Sequence, residues 1–575
     1  MGHNMKRREF ISKSAATGLS VGLLTACGGS SENTGGQVLG SSEQSPPPPA
    51  DVSYDGPNPF QHGVASGDPT AHQVILWTRL TAEGLDEVPV QVTVATNPEL
   101  QDPVYQGVGY ARSTSDFTIK LDPLLPEADQ TYFYQFTALG HRSPIGRTRT
   151  TPEPGAQVDH LRLAVTSCSN YPYGYFNAYR KIAQRRDLDA VLHLGDYIYE
   201  YAQGKYNDPA LASERPVDPP HEIVTLEDYR RRYACYRSDT DLQEVHRQHP
   251  FICVWDDHEI ANDAWMNGAE NHGPDQGDFA DRKRAAVKAY YEWMPIRPVR
   301  PDNKLRIYRS FQFGQLMSLM MLDTRLIGRD EQVKTNWDAR DRERHLLGDE
   351  QQNWLFEELE HSRSRGAQWH LIGQQVMLSP LTLGTLPDTP NWPLGGGVQL
   401  NYDQWDGYQT SRRALLNRID AMGLDNAVIL TGDIHSSWAM DVTLDPGNIL
   451  KYGPLTGRGS LAVEFVTPAV TSPAIPEKNL ADLAAAYIVP ANAHLKWVDL
   501  FHRGYMVLDI TPEHCKADWF HLHTVSEPDD REFFARSYVA ATGSNRVRQA
   551  TTPSAPKAIA PTLAPSSTHL MESAS

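Results

Sequence analysis

A chain of 575 residues is too long for one ordinary domain, so at least two are expected. With 40% hydrophobic and 22% charged residues it has material for a sizeable core. Its formal net charge of −18 excludes general affinity for nucleic acid or an anionic membrane surface, although a local basic pocket for an anion stays open.

The first residues read as an address. Lys6-Arg7-Arg8-Glu9-Phe10-Ile11 is a basic start with paired arginines, and a weakly apolar stretch follows from about Ala15 to Ala26. That stretch is shorter than the ~20 apolar residues of a membrane-spanning helix. It predicts an export signal with the twin-arginine machinery as partner, the alternative being a chance basic start. Leu24-Thr25-Ala26-Cys27 is similar to a bacterial lipoprotein cleavage box. Residues 1–27 are then an export signal with a lipobox, cleavage before Cys27 leaves it as the lipidated first residue and membrane anchor, and the location is extracytoplasmic. Ordinary cleavage at a small-residue site is the competing reading. Residues 28–55, rich in Gly, Ser, Gln and Pro, predict a disordered tether. Besides Cys27 the chain has Cys168, Cys235, Cys253 and Cys515, enough for two disulfides at most. Cys253 lies in an apolar run and reads as core.

Residues 56–153 alternate in short segments, such as Val90-Gln91-Val92-Thr93-Val94 and Thr131-Tyr132-Phe133-Tyr134-Gln135-Phe136. They predict an antiparallel sandwich of immunoglobulin-like size, with no catalytic constellation. Residues 158–545 mix strands and helices, an α/β or α+β body. Strands are expected at Leu161–Thr166, Ala190–Leu194, Phe251–Trp255, Met317–Leu322, Trp369–Gly373, Ala427–Leu430 and Leu461–Val466, and helices at Glu350–His361 and Ser411–Met422. Tyr201–Ile223 and Ala264–Gly277 read as loops around a site. The tail, counted from residue 546 and most biased after Thr551, predicts disorder.

Two segments carry most of the chemistry. Leu192-His193-Leu194-Gly195-Asp196-Tyr197-Ile198-Tyr199 and Ile429-Leu430-Thr431-Gly432-Asp433-Ile434-His435 are apolar runs that stop at Gly-Asp. Side by side, such strands project Asp196, Tyr199, Asp433 and His435 into one crevice, a donor set for metal ions. A third strand ends in Asp256-Asp257-His258-Glu259, where clustered carboxylates repel unless a cation sits between them; a helix N-terminus is the plain alternative. A fourth ends at Ser167-Cys168-Ser169-Asn170. Singly, Asp196 fits a helix cap, Cys168 and His435 fit core positions, and Tyr199 fits aromatic packing. Arg325 and Arg329 read as surface ion pairs, with phosphate binding as the alternative.

The order Gly195-Asp196, Asp257-His258-Glu259, Gly432-Asp433-Ile434-His435 resembles the calcineurin-like metallophosphoesterases. Asp256-Asp257 stands where that superfamily usually has Gly-Asn. This departure, with Cys168, Leu347-Gly348-Asp349-Glu350-Gln351, Trp405-Asp406-Gly407-Tyr408 and Ala289-Tyr290-Tyr291-Glu292-Trp293-Met294-Pro295, resembles the PhoD-type alkaline phosphatases and phosphodiesterases. So does the leading Asn58-Pro59-Phe60 and Gly63-Val64-Ala65-Ser66-Gly67-Asp68-Pro69. The resemblance implies two mixed sheets flanked by helices around Fe(III) and Ca(II). By motif, Cys168, Asp196, Tyr199 and His435 hold iron. Asp196 bridges to calcium, which Asp433, Asp257 and either Asn262 or Asp263 also serve. His258 is the catalytic histidine facing phosphate, working with Asp196 and Asp433.

The expected activity is hydrolysis of small phosphoester substrates by a metal-dependent alkaline phosphatase. A phosphodiesterase or phospholipase D-type enzyme on the same site is the alternative. A lipid-anchored binding protein with a vestigial site is the minor one.

Overall fold

The computed structural model describes residues 54–82, 84–382 and 399–565. The expected signal, Cys27 and the tether up to residue 53 lie outside the described residues. The leading strands are β1 (Val64–Gly67), β2 (Ile75–Arg79), β3 (Glu87–Ala95), β4 (Tyr105–Arg112), β5 (Thr118–Leu121), β6 (Thr131–Ala138), β7 (His141–Arg142) and β8 (Gly146–Arg149). In β3 every second side chain is buried, the period of a strand with one face on a core. β3, β4, β6 and β7 form one sheet, with β8 on β6, and Val90, Val92 and Tyr132 pack against Val64, Leu76 and Ile119.

The body adds β9 (Leu161–Thr166), β10 (Ala190–His193), β11 (Pro250–Cys253), β12 (Arg309–Phe313), β13 (Met317–Met321), β14 (Trp369–Gly373), β15 (Ala427–Thr431), β16 (Ser437–Thr443), β17 (Ser460–Val466), β18 (Leu495–Asp499), β19 (Gly504–Ile510), β20 (His514–Leu522), β21 (Glu532–Ala541) and β22 (Arg548–Ala550). Seven strands run in the order β12-β13-β14-β15-β17-β16-β18 and ten in the order β22-β21-β20-β19-β9-β10-β11-β1-β2-β5. The leading sandwich is therefore not closed on itself: β1 lies parallel to β11, and three of its strands extend the sheet of the body. Buried Arg309 pairs with Asp68 at 2.6 Å, and Trp77 Nε1 donates to the Glu292 carbonyl at 2.8 Å across the same seam.

The two large sheets face each other over one core, in which Val165, Leu192 and Ile252 meet Leu319, Val428 and Phe465. Each fully buried aliphatic or aromatic side chain there contributes about 1.5–3 kcal/mol. Helices cover the outer faces: α1 (Asn177–Ala183), α2 (Leu226–Arg237), α3 (Thr240–Gln248) and α4 (Phe279–Trp293), then α5 (Gly348–Ser364), α6 (Gln409–Met422) and α7 (Lys478–Ala491). Thr225 and Asp228 close α2 with a reciprocal capping box, and Gly423, at φ 55°, ends α6 in the left-handed region. α5 and α6 set Leu355, Leu359, Leu415 and Ile419 on the back of β13–β15.

The four described cysteines are free, with Cys253 fully buried. The disorder expected of the tail does not hold for residues 546–565. β22 pairs with β21, Lys557 Nζ lies 2.5 Å from Asp189 Oδ2, and the Ala564 amide and carbonyl bond to the Gln248 side chain. An extended segment of Pro, Ala and Ser has no hydrophobic period, but its backbone groups are satisfied here by side chains of the body.

Candidate metal centre

The strand ends converge, though not all from neighbouring strands. β9, β10 and β11 are adjacent and parallel in the ten-stranded sheet, whereas β15 belongs to the seven-stranded one. Gly195 and Gly432 allow the approach. A Cβ on Gly195, at φ 108°, would stand 2.4 Å from Asp256 Cβ, and one on Gly432 would stand 2.9 Å from Ser167 Cβ. Cys168, Asp196, Asp263, Asp433 and His435 all have φ between 53° and 61°. Non-glycine residues in that region carry strain of order 1 kcal/mol or more each, which the surrounding fold must sustain.

Tyr199 Oη lies 3.1 Å from Asp196 Oδ2, 3.3 Å from His435 Nε2 and 2.6 Å from Ser472 Oγ. His435 Nδ1 is 2.8 Å from the Pro473 carbonyl, so it carries the proton and leaves the Nε2 lone pair facing Tyr199 and Asp196. Cys168, Asp196 and His435 offer donor atoms within 4.8 Å of one another. So do Asp196, Asp257 and His258, and likewise Asp256, Asp257 and Asp433. Asp196 belongs to the first two sets and Asp257 to the last two. The three sets thus form one continuous run of donors beside a cavity of ≈ 220 Å³ whose wall includes Asp263, Asn262, Tyr206 and Asn401.

Asp196 and Asp263 are poorly neutralised by the chain itself. Burial, with Asp257 and Asp433 nearby, pushes the Asp196 carboxyl up to about 7. Burial, with Asp403 and Asp257, pushes Asp263 up to about 8. Burial likewise holds the Cys168 thiol and the Tyr199 phenol well above their ordinary values. The buried Asp196 Oδ1 has no hydrogen-bond partner among the described residues. A multivalent cation removes each of these costs at once. Thiolate, phenolate, imidazole and carboxylate on one side suit a transition ion, and carboxylates with an amide on the other suit a hard cation, so the donors present fit two kinds of ion.

Asn262 is turned partly away: its Nδ2 donates to Glu270 at 2.7 Å and its backbone N–H to Glu200. Asp263 gives its backbone N–H to Asp257 Oδ2 at 2.5 Å and keeps its carboxylate on the cavity wall. Glu259 points away from the cavity and accepts the backbone N–H groups of Asp196, Tyr197 and Asp256, tying the β10 and β11 turns together.

Arg325 and Arg329 are not surface residues; both are fully buried. Arg325 Nε lies 2.5 Å from Asp256, Nη1 2.8 Å from Asp403 and Nη2 2.8 Å from Asp433. Arg329 pairs with Asp403 and donates to the Thr324 carbonyl. With those nitrogens committed to protein oxygens, phosphate binding by either arginine is not supported. Sequence reasoning passed over Asp403, which lies in the polar stretch Asn401-Tyr402-Asp403-Gln404 without an apolar run before it. It also passed over Glu200, enclosed between Tyr199 and Tyr201, whose Oε2 is 2.7 Å from His258 Nδ1. Tyr206, from the Tyr201–Ile223 insertion, covers the cavity with its ring 5.6 Å from that of Tyr199.

Comparison with known proteins gives a consistent result. The family model described as PhoD-like phosphatase matches residues 163–519, and that described as PhoD-like phosphatase, N-terminal domain, matches residues 45–152. Alkaline phosphatase D of Bacillus subtilis (strain 168) is 35% identical over 540 residues, 91% of this chain and 85% of that protein. A solved structure described as Structure of PhoD aligns with a TM-score of 0.76 at 33% identity, over 88% of this chain and 94% of that one.

Proposed function

Since the chain belongs to the PhoD-like phosphatase family and is a phosphoric ester hydrolase, we propose that the cavity bounded by Asp196, Asp257, Asp433 and His435 is its hydrolytic centre. Cys168, Tyr199, His435 and Asp196 would hold Fe(III). Asp196, Asp257, Asp433 and one of Asn262 and Asp263, the latter favoured by its free carboxylate, would serve Ca(II). Such ions supply Lewis acidity toward phosphate oxygens and solvent.

The chain's own residues do the rest. His258 is held by Glu200 at Nδ1, so the proton it can give or share is on Nε2, on the cavity side. From there it stabilises charge on a phosphate oxygen and protonates the departing alkoxide. Tyr206 and Tyr199, with rings 6.1 Å and 4.2 Å from that of His258, hold the imidazole in place and limit water. The observation that carries this reading is the shared run of donors through Asp196, whose Oδ1 has no hydrogen-bond partner among the described residues.

Asp196→Ala is expected to abolish hydrolysis of nitrophenyl phosphate while the circular dichroism spectrum is retained; undiminished activity would refute the assignment. Tyr199→Phe is expected to remove a visible charge-transfer band from the purified protein. Comparing nitrophenyl phosphate with bis(nitrophenyl) phosphate separates monoester from diester preference. The paired arginines and the Cys27 box support twin-arginine export and lipid anchoring outside the cytoplasm. Palmitate labelling that survives Cys27→Ser would count against the anchor.

A further inference from the structure

The described residues hold one more set of metal-type donors, apart from the cavity: Asp499, His502 and His521, with donor atoms within 4.8 Å of one another. Asp499 closes β18, His521 lies in β20, and His502 sits in the turn between β18 and β19. Asp499 Oδ1 accepts the backbone N–H groups of Phe501 and His502 at 3.0 and 2.9 Å, which fixes the carboxylate. Its Oδ2 is 2.9 Å from His502 Nδ1 and 3.8 Å from His521 Nδ1. The two imidazole planes lie 17° apart with centroids 5.0 Å apart.

His521 is the informative residue. It is fully buried; Nε2 lies 3.0 Å from Ser437 Oγ, and Nδ1 has no hydrogen-bond partner among the described residues. A separation of 3.8 Å from a carboxylate oxygen is too long for a hydrogen bond. A buried nitrogen facing a carboxylate without a bond keeps its full desolvation cost. A cation between the two ends that cost. Ligand bonds of about 2.0–2.2 Å place neighbouring donors roughly 3–4 Å apart; the 3.8 Å between Asp499 Oδ2 and His521 Nδ1 falls in that range, while His502 Nδ1, at 2.9 Å from the same oxygen, stands slightly closer.

We propose that Asp499, His502 and His521 form a third metal site, for a borderline divalent transition ion such as Zn²⁺. Two imidazoles and one carboxylate suit that class, whereas calcium takes oxygen donors. Asp499 and His502 are partly exposed, with side chains 22% and 17% accessible, which gives an ion entry. The site would act as a clamp. Leu500 accepts the Ile475 N–H, Arg503 Nε donates to the Ser472 carbonyl, and Pro473 between them orients His435. An ion that fixes the 499–503 turn therefore steadies the segment behind His435.

The test uses the full-length protein loaded with Zn²⁺ and desalted, with zinc per chain measured for the wild type, His502→Ala and Asp499→Asn. The wild type is expected to carry one zinc more than either variant and to show a zinc-dependent rise in unfolding temperature that the variants lack. Equal zinc in all three proteins overturns the proposal. Should the variants fail to fold, anomalous scattering at the zinc edge from wild-type crystals decides. A peak within bonding distance of His521 Nδ1 supports the site, and its absence overturns it.

Discussion

His258 and Glu200 meet inside the protein, Nδ1 to Oε2 at 2.7 Å, with the Glu200 side chain fully buried. Glu200 Oε1 accepts from the Asn262 backbone and the Asn271 side chain, so the carboxylate is held from both sides. Burial alone would lower the His258 pKa, yet Glu200, with Asp196 and Asp257, holds it well above the ordinary value. Outer-shell carboxylates of this kind typically affect activity 10- to 100-fold. Glu200→Gln is expected to lower kcat on nitrophenyl phosphate about 10- to 100-fold, with KM little changed, since the imidazole loses its orienting charge and not its place. Steady-state kinetics on the purified variant check this, and an unchanged kcat would count against the role.

Among the described residues, Arg325 is the cation that touches Asp256, Asp403 and Asp433 together. Removing one partner of a buried ion pair strands the other, at about 3–5 kcal/mol. Arg325→Leu is expected to unfold at lower urea by that margin. Its stability should depend more steeply on added metal than that of the wild type, because cations then become the main counter-charge to these acids. Urea midpoints with and without a chelator measure both effects.

His193, in β10, is fully buried, and burial pushes its pKa down to about 3. Nδ1 accepts the Gly195 N–H, so the proton sits on Nε2 beside Tyr179 Oη. A histidine held neutral in the fold but titrating near 6.5 when unfolded contributes stability that is full above 6.5 and declines as pH falls below it. The stability gap between the wild type and His193→Gln should therefore narrow by about 2 kcal/mol between pH 7.5 and pH 5. Urea unfolding at the two pH values tests the sign; a gap that widens on acidification would contradict it.

Truncation after Thr551 removes the bonds of Lys557 to Asp189, of Ala564 to Gln248 and of Pro565 to Arg247. At about 1 kcal/mol for each such bond, a loss of a few kcal/mol is expected. Specific activity well below the melting temperature should be unaffected, because the described part of the strap bonds Arg162, Asp187, Asp189, Arg247, Gln248 and Asp518 and none of the side chains at the cavity. Thermal unfolding and activity assays on the truncated chain separate the two.

The strand ends were readable because each couples an uninterrupted apolar run to a polar stop: Ala190–His193 before Asp196, Ala427–Thr431 before Asp433, Pro250–Cys253 before Asp257. That grammar is local. Which sheet each strand joins is not local, and β10 and β15 lie in different sheets. Asp403 was invisible because its meaning depends on Arg325, 78 positions away in the chain, and Arg325 was misjudged because a charged residue reads as exposed until its carboxylate partners are known. The left-handed φ at Cys168 has no signature in residue type, and although Asp and His tolerate that region better than most residues, nothing local marks Asp196, Asp433 and His435 out from the many other acids and histidines.

β1 stands between β11 and β2, with Ser66 opposite Pro250 on one side and Leu76 on the other. Order of synthesis and order in the sheet thus disagree: the earliest strand must wait for a partner made much later. Exchange of the leading segment between relatives would not be a clean swap at a hinge. It would lift a plank from the middle of a floor, and any chimera joined near residue 153 must bring a β1 shaped to lie against the recipient's β11.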